Sequence, residues 1–499
     1  MKLDIGCGHS KKEGFFGIDC RPLEGVDLVC DCNLPIPLPD NCADEINADD
    51  FLEHINNDKR IHIMNEIWRL LKPNGIFNSS TPSTDGRGAF QDPTHYCYSD
   101  DTEVLTDNGW KLIKDVVLNE YVITINPETM LAEYQPVIQL NNYDYNGKMI
   151  NFKTKSVDLC VTPNHKMLFR VSGNVSSYRF KEAKDFLGKS NKSYVFNQKV
   201  MLLKEPDIVD VIEIPDLYDG YGNKWRIKYP ATPLMKLIGW YVAEGSTAVI
   251  VNKDNSRYNQ YRVDINQSPL VNPEKYEIIK NVVLDLGLTP VMTKKSIAFS
   301  EKGLAIYLKT LGKQHERFIP VLFKNQNKLL LKELLDAALM GDGTNNGTTS
   351  FTYASISRTL ANDISEIAQK CGYRATQLIE KRNYYKKILS EKAYFCKDIY
   401  LVIISKNTNL YSRFIETNYK GKVYCLGVNK YHTLFVRRKG RAVWSGNSQW
   451  NQNSFWYYTS DFHRNLSGIT AKFDIIQLET TAKDANEVCH VLAVLKAVK

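Results

Sequence analysis

The 499-residue sequence predicts a multidomain protein in which an α/β Rossmann-like domain is split by an all-β segment, and that segment carries an α+β unit of two repeats. Three observations lead to this prediction. A strand runs straight into two glycines at the N-terminus, the strands that complete such a domain occur only near the C-terminus, and two similar helical runs lie between them. The length allows about three domains at ~150 residues each.

The composition is that of an ordinary globular protein, with 43% hydrophobic and 24% charged residues. No apolar run approaches the ~18 to 20 residues that span a membrane, and "MKLDIGCGHS" is no signal peptide, so we expect a cytoplasmic chain without a membrane partner. The eleven cysteines are then reduced thiols, and their spacing fits no structural zinc pattern. A net charge of +8 permits nucleic-acid binding without requiring it.

The N-terminal part has the pattern of a nucleotide-binding α/β domain. "MKLDIGCG" predicts a buried strand followed by Gly6 and Gly8, which bring the backbone close to a ligand at a helix N-terminus. "FFGID" and "VDLVCD" predict further strands that end in Asp19 and Asp31, and an acid after the second strand suits ribose hydroxyls. A helix, "NNDKRIHIMNEIWRLL", and a strand, "IFNSST", follow.

This series, with "LPDNCADEI", "LEHI" and "LKPNG", resembles class I S-adenosylmethionine-dependent methyltransferases. The resemblance implies S-adenosylmethionine as the cofactor, with Asp19 on its ribose, and leaves the methyl acceptor unknown. The other residues that it assigns to cofactor binding are Asp4, Gly6, Gly8 and Asp31.

The missing strands appear at the other end of the chain, as "KFDIIQLETT" and "EVCHVLAVLKAV". If Tyr96 is joined to Ser448, the two parts make 148 residues, a natural size for one domain. The middle is therefore predicted to be an insertion of 351 residues. The aromatic run "QWNQNSFWYYT" after it could stack on an acceptor or pack in the core.

The insertion begins with Cys97 and ends with Asn447, and a second nucleophile, Ser448, follows it. These ends, with "CYSDDTEVLTDNGWKLIKDV", "VDLCVTPNHKMLF", "KVYCLGVNKYHTLFV" and "AVWSGNS", resemble an intein with a Hint-type splicing domain. Cys425 stands where this family has Asp or Cys, and Gly446 stands where it usually has His.

The intein resemblance implies a role for each residue of the predicted splice site. Cys97 would attack the preceding carbonyl to form a thioester, with Thr162 and His165 supplying a proton and oxyanion support. Ser448 would take over the acyl group, Asn447 would cyclise and cut the chain, and His432 could move the proton that His usually moves at position 446.

Inside the insertion, "LIGWYVAEG" and "LDAALMGDG" repeat one pattern, an apolar helical run that ends in an acid and a glycine. The repeat resembles the LAGLIDADG homing endonucleases, which implies two αββαββα units whose helices pack through small residues. Glu244 and Asp342 would then be the catalytic carboxylates and hold Mg²⁺ for cleavage of double-stranded DNA. Arg317, where the family usually has Lys, could contact phosphate, and we expect the released intein to be monomeric.

Two other interpretations stay open: a methyltransferase with a non-splicing, Hint-like DNA-binding insertion, which Gly446 favours, and a purely structural insertion. The expected boundaries are 1–96 and 448–499 for the methyltransferase, 97–225 and 411–447 for the Hint domain, and 226–410 for the endonuclease.

Overall fold

The structure is a computed structural model of the chain. It describes residues 1–55, 59–82, 97–173, 178–190, 192–218, 224–250, 259–382, 384–387, 393–428, 430–446, 471–481 and 490–499. Within these ranges, none of the helices has the length and apolarity needed to cross a bilayer. We call residues 1–96 and 448–499 the outer segments, residues 97–225 and 411–447 the β segment, and residues 226–410 the repeat unit.

Where it is described, the first outer segment folds as parallel strands with one α-helix. Ile63, Met64 and Ile67 are fully or almost fully buried on α1, because their spacing places them on the face that packs against the sheet. The elements are β1 (Lys2–Ile5), β2 (Phe16–Asp19), β3 (Leu28–Val29), β4 (Ala43–Asp49), α1 (Arg60–Leu70) and β5 (Leu71–Pro82).

The connection from β1 to β2 differs from the prediction, because no helix begins after the glycines. Residues 6–15, all of which are described, form turns. A parallel crossover usually needs a dozen residues or more, and these ten are too few for a helix with its two connections. The chain turns instead at Gly6 and Gly8, whose φ angles of +74° and +52° favour glycine.

The β segment begins as a run of short strands around one long strand, β10. Its core contains an aromatic cluster in which the ring centroids of Phe152 lie 5.5 Å from Phe186 and 5.6 Å from Phe196. The strands are β6 (Tyr98–Ser99), β7 (Thr102–Thr106), β8 (Gly109–Leu112), β9 (Tyr121–Ile125), β10 (Ala132–Lys153), β11 (Asp158–Val161), β12 (Lys166–Val171), β13 (Arg179–Glu182), β14 (Tyr194–Asn197), β15 (Val211–Tyr218) and, continuing into the repeat unit, β16 (Lys224–Pro230).

The repeat unit follows as two similar α+β halves. The first half contains α2 (Ala231–Glu244), β17 (Gly245–Ile250), β18 (Gln260–Asn266), α3 (Pro273–Asp285), β19 (Val291–Met292), β20 (Ser296–Ser300) and α4 (Lys302–Thr310). The short helix α5 (Val321–Lys324) leads to the second half. That half contains α6 (Lys328–Asp342), β21 (Gly343–Asn345), β22 (Ser350–Ser355), α7 (Arg358–Lys370), β23 (Arg374–Glu380), β24 (Tyr384–Lys387), β25 (Ala393–Cys396) and β26 (Ile399–Ser405).

The two halves are less alike than the prediction of two αββαββα units requires. Both halves form a four-stranded arrangement, in the orders β17-β18-β20-β19 and β21-β22-β26-β23. The second half has no helix after β26, because Asn409 and Leu410 already pair with β14 of the β segment. The chain therefore returns to the β segment at the point where α4 follows in the first half.

The helices α2 and α6 pack against each other through small residues. A Cβ atom on Gly239 would lie 2.4 Å from the backbone oxygen of Leu334 and 2.7 Å from the Cβ of Ala337. A Cβ atom on Gly341 would lie 2.4 Å from the Cβ of Ala243. These distances are too short for any side chain, so the helices can approach this closely only with glycine at both positions.

The chain then re-enters the β segment and finally the second outer segment. The strand β28 pairs antiparallel with β10 from Val137 opposite Val428 to Lys153 opposite Arg413. The last two residues of the repeat-unit range, β27 (Asn409–Leu410), already pair with the β segment. The elements that follow are β28 (Arg413–Val428), β29 (Thr433–Arg438), β30 (Arg441–Gly446), β31 (Phe473–Thr480) and β32 (His490–Ala497).

The repeat unit is docked onto the β segment by buried polar contacts. The Gln198 side chain donates to the Ala442 carbonyl at 2.6 Å and accepts from the Ala375 N–H at 2.8 Å. Lys324 lies 2.9 Å from Asp363 and 3.0 Å from Glu366 in a buried ion cluster at this boundary. Breaking one partner of such a cluster leaves a buried charge without compensation, so the cluster holds α5 against α7 within the repeat unit. The next residue, Asn325, donates from its side chain to the Asp107 carbonyl at 3.0 Å and so links this part of the unit to the β segment.

The two outer segments share one seven-stranded sheet of order β3-β2-β1-β4-β5-β32-β31. The strand β32 lies antiparallel between β5 and β31, with Val491 opposite Thr81. The indole of Trp68 also donates to the Val498 carbonyl at 3.1 Å. The chain thus leaves this sheet after Pro82 and, among the described residues, returns to it at Phe473, the first residue of β31.

We expect Gly239→Ala to destabilise the repeat unit by about 1 to 3 kcal/mol, because the new Cβ meets backbone that cannot rotate away. Hydrogen exchange of the α2 and α6 amides, followed by mass spectrometry, measures this effect locally in the full chain. Leu329→Ala is the control, since Leu329 is 64% exposed on α6. Unchanged protection of α2 in the Gly239→Ala variant would contradict the packing described above.

Candidate functional site

The N-terminal end of the β segment is held by two reciprocal hydrogen bonds. The backbone N–H of Cys97 donates to Oγ1 of Thr162 at 3.1 Å, and the N–H of Thr162 donates to the Cys97 carbonyl at 3.0 Å. Cys97 is fully buried and Thr162 nearly so. The Thr162 hydroxyl therefore contacts the nitrogen of the peptide bond that precedes Cys97.

His165 connects this end of the segment to its other end. The backbone N–H of His165 donates to the Thr162 carbonyl at 3.0 Å, and this hydrogen bond closes the turn predicted from the sequence. Its Nε2 lies 2.8 Å from Oγ of Ser445, and its ring packs edge-on against Tyr98 with the centroids 4.5 Å apart. The imidazole thus lies between the strand that begins at Tyr98 and the strand that ends at Gly446.

Tyr98 provides a second link between the two ends. Its hydroxyl donates to the Gly446 carbonyl at 2.5 Å, across 348 positions of the sequence. Burial, together with the nearby Cys425 and Cys97, raises the pKa of Tyr98, although a hydrogen bond to Ser445 opposes the rise. The hydroxyl therefore keeps its proton and remains a donor.

Gly446 occupies a position with no room for a side chain. A Cβ atom there would lie 2.1 Å from the backbone oxygen of Lys166. The backbone pairs on its other side with Thr433, which directly follows His432. His432 and Tyr431 form the turn before β29 with φ angles of +45° and +65°. This register brings the predicted proton donor, His432, to the strand that ends at the C-terminal junction.

The Cys97 thiol lies in a small buried cluster with two other thiols. Cys160 and Cys425 are members, together with Met149 and Val423. Burial raises the pKa of Cys160 to about 11, and its sulphur lies 4.0 Å from that of Met149. The two other residues predicted to react, Asn447 and Ser448, lie outside the described residues, as do Tyr96 and the aromatic run after Ser448.

Four of the five residues predicted to bind the cofactor lie close together at the turn of Gly6 and Gly8, which we call the glycine turn. They are Asp4, Gly6, Gly8 and Asp19. The Gly8 N–H donates to Asp19 at 3.0 Å, and Asp4 accepts from the Lys12 N–H at 2.7 Å and from Asn47 at 3.0 Å. A Cβ atom on Gly6 would lie 2.4 Å from the Phe51 ring, so this turn accepts no side chain. The remaining residue, Asp31, is exposed and accepts hydrogen bonds from Asn33.

Asp19 is 5% exposed at the end of β2, and the cofactor's ribose would meet it there. Burial acts to raise the pKa of Asp19, but hydrogen bonds from Arg21 and Gly8 outweigh it, so the pKa is lowered and the carboxylate stays ionised. Each carboxylate oxygen can accept more than one hydrogen bond. The turn and this carboxylate therefore fit a nucleoside with free ribose hydroxyls.

Glu244 and Asp342 terminate α2 and α6 and form a carboxylate pair. The surrounding protein desolvates Asp342 even though part of its side chain reaches solvent, and together with the charge of Glu244 this raises its pKa to about 7. Burial also raises the pKa of Glu244, which accepts a hydrogen bond from Gln267 at 3.3 Å. A divalent cation would relieve the repulsion between the two charges, so the pair fits the predicted Mg²⁺.

Arg317 does not have the role predicted from the sequence. It is 5% exposed, and its guanidinium donates to the carbonyls of Tyr241 at 2.8 Å and Gly245 at 3.1 Å. It therefore caps the C-terminus of α2, where a cation is favoured, and is not placed to contact phosphate. The charge of Arg317 still acts to lower the pKa of Asp342, and that of Lys275 on α3 acts to lower the pKa of both Asp342 and Glu244.

The sequence prediction missed several residues that the structure brings to these sites. Tyr98 directly follows Cys97 and Ser445 lies two residues before Asn447, so a polar residue near each junction was the available signal. Gln267 and Lys275 offered no such signal, because their approach to Glu244 and Asp342 depends on how α2, β18 and α3 pack.

Comparison with known proteins finds a family model described as "Methyltransferase domain" over residues 18–78. Among curated proteins, the chain is 29% identical over 329 residues to an ATP-dependent Clp protease proteolytic subunit from Chlamydomonas moewusii, covering 62% of this chain and 32% of that protein. It is 24% identical over 408 residues to the C-terminal section of a DNA-directed RNA polymerase subunit beta from Stigeoclonium helveticum, covering 71% of this chain and 36% of that protein. The chain thus spans about a third of the length of these relatives.

Solved structures give more distant matches. One is I-DmoI in complex with its target DNA, with 15% identity, a TM-score of 0.25, and coverage of 35% of this chain and 89% of that one. Another is the AceL NrdHF class 3 split intein, with 20% identity, a TM-score of 0.19, and coverage of 26% of this chain and 71% of that one. The comparisons therefore establish a methyltransferase domain in residues 18–78, with sequence similarity between this chain and parts of two larger proteins.

Proposed function

We propose that the chain is a self-splicing precursor, in which an intein that carries a DNA endonuclease interrupts an S-adenosylmethionine-dependent methyltransferase. The path of the chain carries this proposal. The outer segments build one sheet from strands on both sides of the insertion, and the two ends of the insertion meet through Tyr98 and Gly446. An intein needs this arrangement, because its two junctions have to react with each other.

In the first step of the proposed reaction, the Cys97 thiol attacks the carbonyl carbon of Tyr96. The C–N bond breaks, a thioester forms, and the α-amino group of Cys97 takes the thiol proton. The contact between Thr162 Oγ1 and the Cys97 nitrogen supports this step, because that nitrogen is the leaving group. His165, on the same turn, is the group that can deliver a proton.

The later steps exchange the acyl group and cut the chain. The Ser448 hydroxyl attacks the thioester, so the Cys97 thiol leaves with that proton and the N-terminal segment becomes an ester. The Asn447 amide nitrogen then attacks its own backbone carbonyl, forming a succinimide and freeing the Ser448 amine. His432, beside the cross-strand partner of Gly446, is the proposed donor to that amine. The amine finally attacks the ester and leaves a Tyr96–Ser448 peptide bond.

The curated relatives support an inserted element. A protease subunit and a polymerase subunit share no activity with each other or with a methyltransferase, yet they match 62% and 71% of this chain. Residues 1–96 and 448–499 make up less than a third of its length, so part of each match has to lie within 97–447. A segment that recurs in unrelated proteins is what a mobile intein predicts.

For the outer segments we propose methyl transfer after ligation, to an acceptor that is not identified. S-adenosylmethionine would supply the methyl group, and the residues that would hold it are Asp4, Gly6, Gly8 and Asp19. The glycine turn allows the backbone to approach the ligand closely, and the ionised Asp19 accepts from the ribose hydroxyls. The exposed Asp31 lies near the same end of the sheet, two residues beyond β3.

For the repeat unit we propose cleavage of double-stranded DNA. Glu244 and Asp342 would hold Mg²⁺, which supplies an activated water and stabilises the leaving oxygen. The support is the approach of two carboxylates at the end of a glycine-lined helix pair, with Gln267 and Lys275 beside them. Lys275, whose charge acts on both carboxylates, is the cation that we propose contacts the phosphate backbone.

A second candidate function is a methyltransferase whose insertion never splices. The observation that favours it is Gly446, since the histidine that usually assists Asn cyclisation is absent and the backbone position excludes any side chain. Product masses separate the two candidates.

Expression of the whole chain is expected to yield a ligated protein of 148 residues and a free intein of 351 residues. Intact-mass measurement over time, with sequencing across the new Tyr96–Ser448 bond, checks this result. A chain of constant mass would contradict splicing and favour the second candidate.

Cys97→Ala and Asn447→Ala are each expected to abolish ligation, because the first removes the attacking thiol and the second the cyclising amide. Cys396→Ala is the matched control, a cysteine of β25 in the repeat unit, and should splice like the parent chain. Ligated product from the Cys97→Ala chain would exclude the proposed first step.

The raised pKa of Asp342, about 7, makes Mg²⁺ binding depend on pH. The cation displaces the proton, so affinity is expected to rise from pH 6 to pH 8, by up to about tenfold per pH unit below the pKa. Calorimetric titration of the Cys97→Ala chain with Mg²⁺ at each pH measures this affinity. Equal affinity at pH 6 and pH 8 would contradict the paired carboxylates.

Glu244→Gln tests the cause of this shift. Removing the neighbouring charge should lower the Asp342 pKa, as followed by carbon NMR of its carboxyl group, because repulsion is part of what raises it. Glu333→Gln is the control, since Glu333 is a partly exposed acid elsewhere on α6 that pairs with Lys236. An unchanged Asp342 pKa in Glu244→Gln would show that the two carboxylates do not interact.

A further inference from the structure

We propose that the Tyr98 hydroxyl is a positioning group for cleavage after Asn447, where it holds the Gly446 carbonyl in place of a histidine side chain that this position cannot accept. This inference rests on the splicing function proposed above and concerns its last cleavage step. It assigns a role to a residue next to the nucleophile at the opposite junction.

The geometry around Tyr98 leaves its hydroxyl little freedom. The side chain is fully buried, and its backbone pairs with Val161 on one side and Tyr424 on the other. The ring is fixed edge-on against His165 at 4.5 Å. The hydroxyl therefore reaches the Gly446 carbonyl from a scaffold that is already ordered before the reaction begins.

Gly446 is held on several sides by these same elements. Its carbonyl accepts from Tyr98 at 2.5 Å, its backbone pairs with Thr433, and its Cα faces the Lys166 carbonyl so closely that a Cβ atom would lie 2.1 Å away. The preceding residue, Ser445, is 2.8 Å from His165 Nε2. A histidine at 446 would have to push β30 away from β12 and would disturb both hydrogen bonds.

The chemical consequence follows from which peptide group is held. The Gly446 carbonyl belongs to the peptide group whose nitrogen is that of Asn447. When the plane of the Gly446–Asn447 peptide group is fixed, cyclisation has one backbone rotation fewer to restrict. The side-chain amide of Asn447 then meets the backbone carbonyl of Asn447 more often. Tyr98 touches neither of the reacting atoms, which makes it a positioning residue and not a catalytic one.

The test separates the two junctions in the full chain. In a Cys97→Ala background, release of residues 448–499 measures Asn447 cyclisation alone. In an Asn447→Ala background, dithiothreitol-induced cleavage before Cys97 measures thioester formation alone. Tyr98→Phe keeps the ring against His165 and removes only the hydroxyl, so it is introduced into both backgrounds.

We expect Tyr98→Phe to slow release of residues 448–499 by about tenfold, the value of one buried hydrogen bond, and to change thiol-induced cleavage by less than about twofold. Equal slowing at both junctions would mean a merely structural role and would overturn the proposal, as would an unchanged release rate. Tyr276→Phe is the matched control, because its hydroxyl also donates to a backbone carbonyl, that of Thr293 at 2.8 Å, but in the repeat unit. It should alter neither rate.

Gly446→His is the second variant. It is expected to slow release of residues 448–499, because its Cβ meets the Lys166 carbonyl. Faster release would overturn the proposal that Tyr98 acts where histidine cannot. If the two parent backgrounds cleave at neither junction, the splicing function itself fails and the role of Tyr98 with it, whereas cleavage by the parents with no effect of Tyr98→Phe rejects Tyr98 alone.

Discussion

The antiparallel pairing of β5 with β32 is the constraint on which the rest of the structure depends. It places Thr81 opposite Val491, and β31, the first described strand after the insertion, pairs with the far side of β32. The chain therefore has to leave and re-enter the same sheet within two strands of each other. Closing a longer loop costs only about 0.6 kcal/mol for each doubling of its length. A folded insertion whose own ends meet costs less still, because it restricts little additional chain. Tyr98 and Gly446 provide that meeting point.

The proposed splice centre is a set of buried polar contacts between parts of the chain that are far apart in sequence. The backbone of Cys97 is hydrogen-bonded to the Thr162 hydroxyl, and the His165 ring contacts the Ser445 hydroxyl. The Tyr98 hydroxyl is hydrogen-bonded to the Gly446 carbonyl. Buried groups of this kind are costly when unpaired, so each contact helps to enforce the others. The replacement of the usual histidine by Gly446 then has a packing cause, since the backbone of β30 approaches Lys166 too closely for a side chain.

In the repeat unit, too, the candidate site depends on contacts between distant parts of the chain, and here the groups are charged. Its helices approach closely enough at Gly239 and Gly341 to bring Glu244 and Asp342 together, and the resulting repulsion favours a bound cation. Arg317 is used to cap α2 and thereby holds one of these carboxylates in place. The side chain of Gln198 and the contact of Asn325 with the Asp107 carbonyl join the unit to the β segment, so the two parts share one framework.

The sequence by itself determined what depends on residue type and short spacing: the strand before Gly6 and the strand that ends in Asp19, the two helical repeats with their small contact residues and terminal acids, and the turn that carries Thr162 and His165. It also indicated that the sheet of the outer segments lacked strands that reappear near the C-terminus. The missing helix after Gly8 and the shortened second repeat were harder to foresee, because they depend on where the chain has to go next. Only the tertiary structure decided that Arg317 caps a helix, that Gln267 and Lys275 join the carboxylates, and that Tyr98 reaches Gly446, because each of these contacts joins residues whose separation along the chain carries no local pattern.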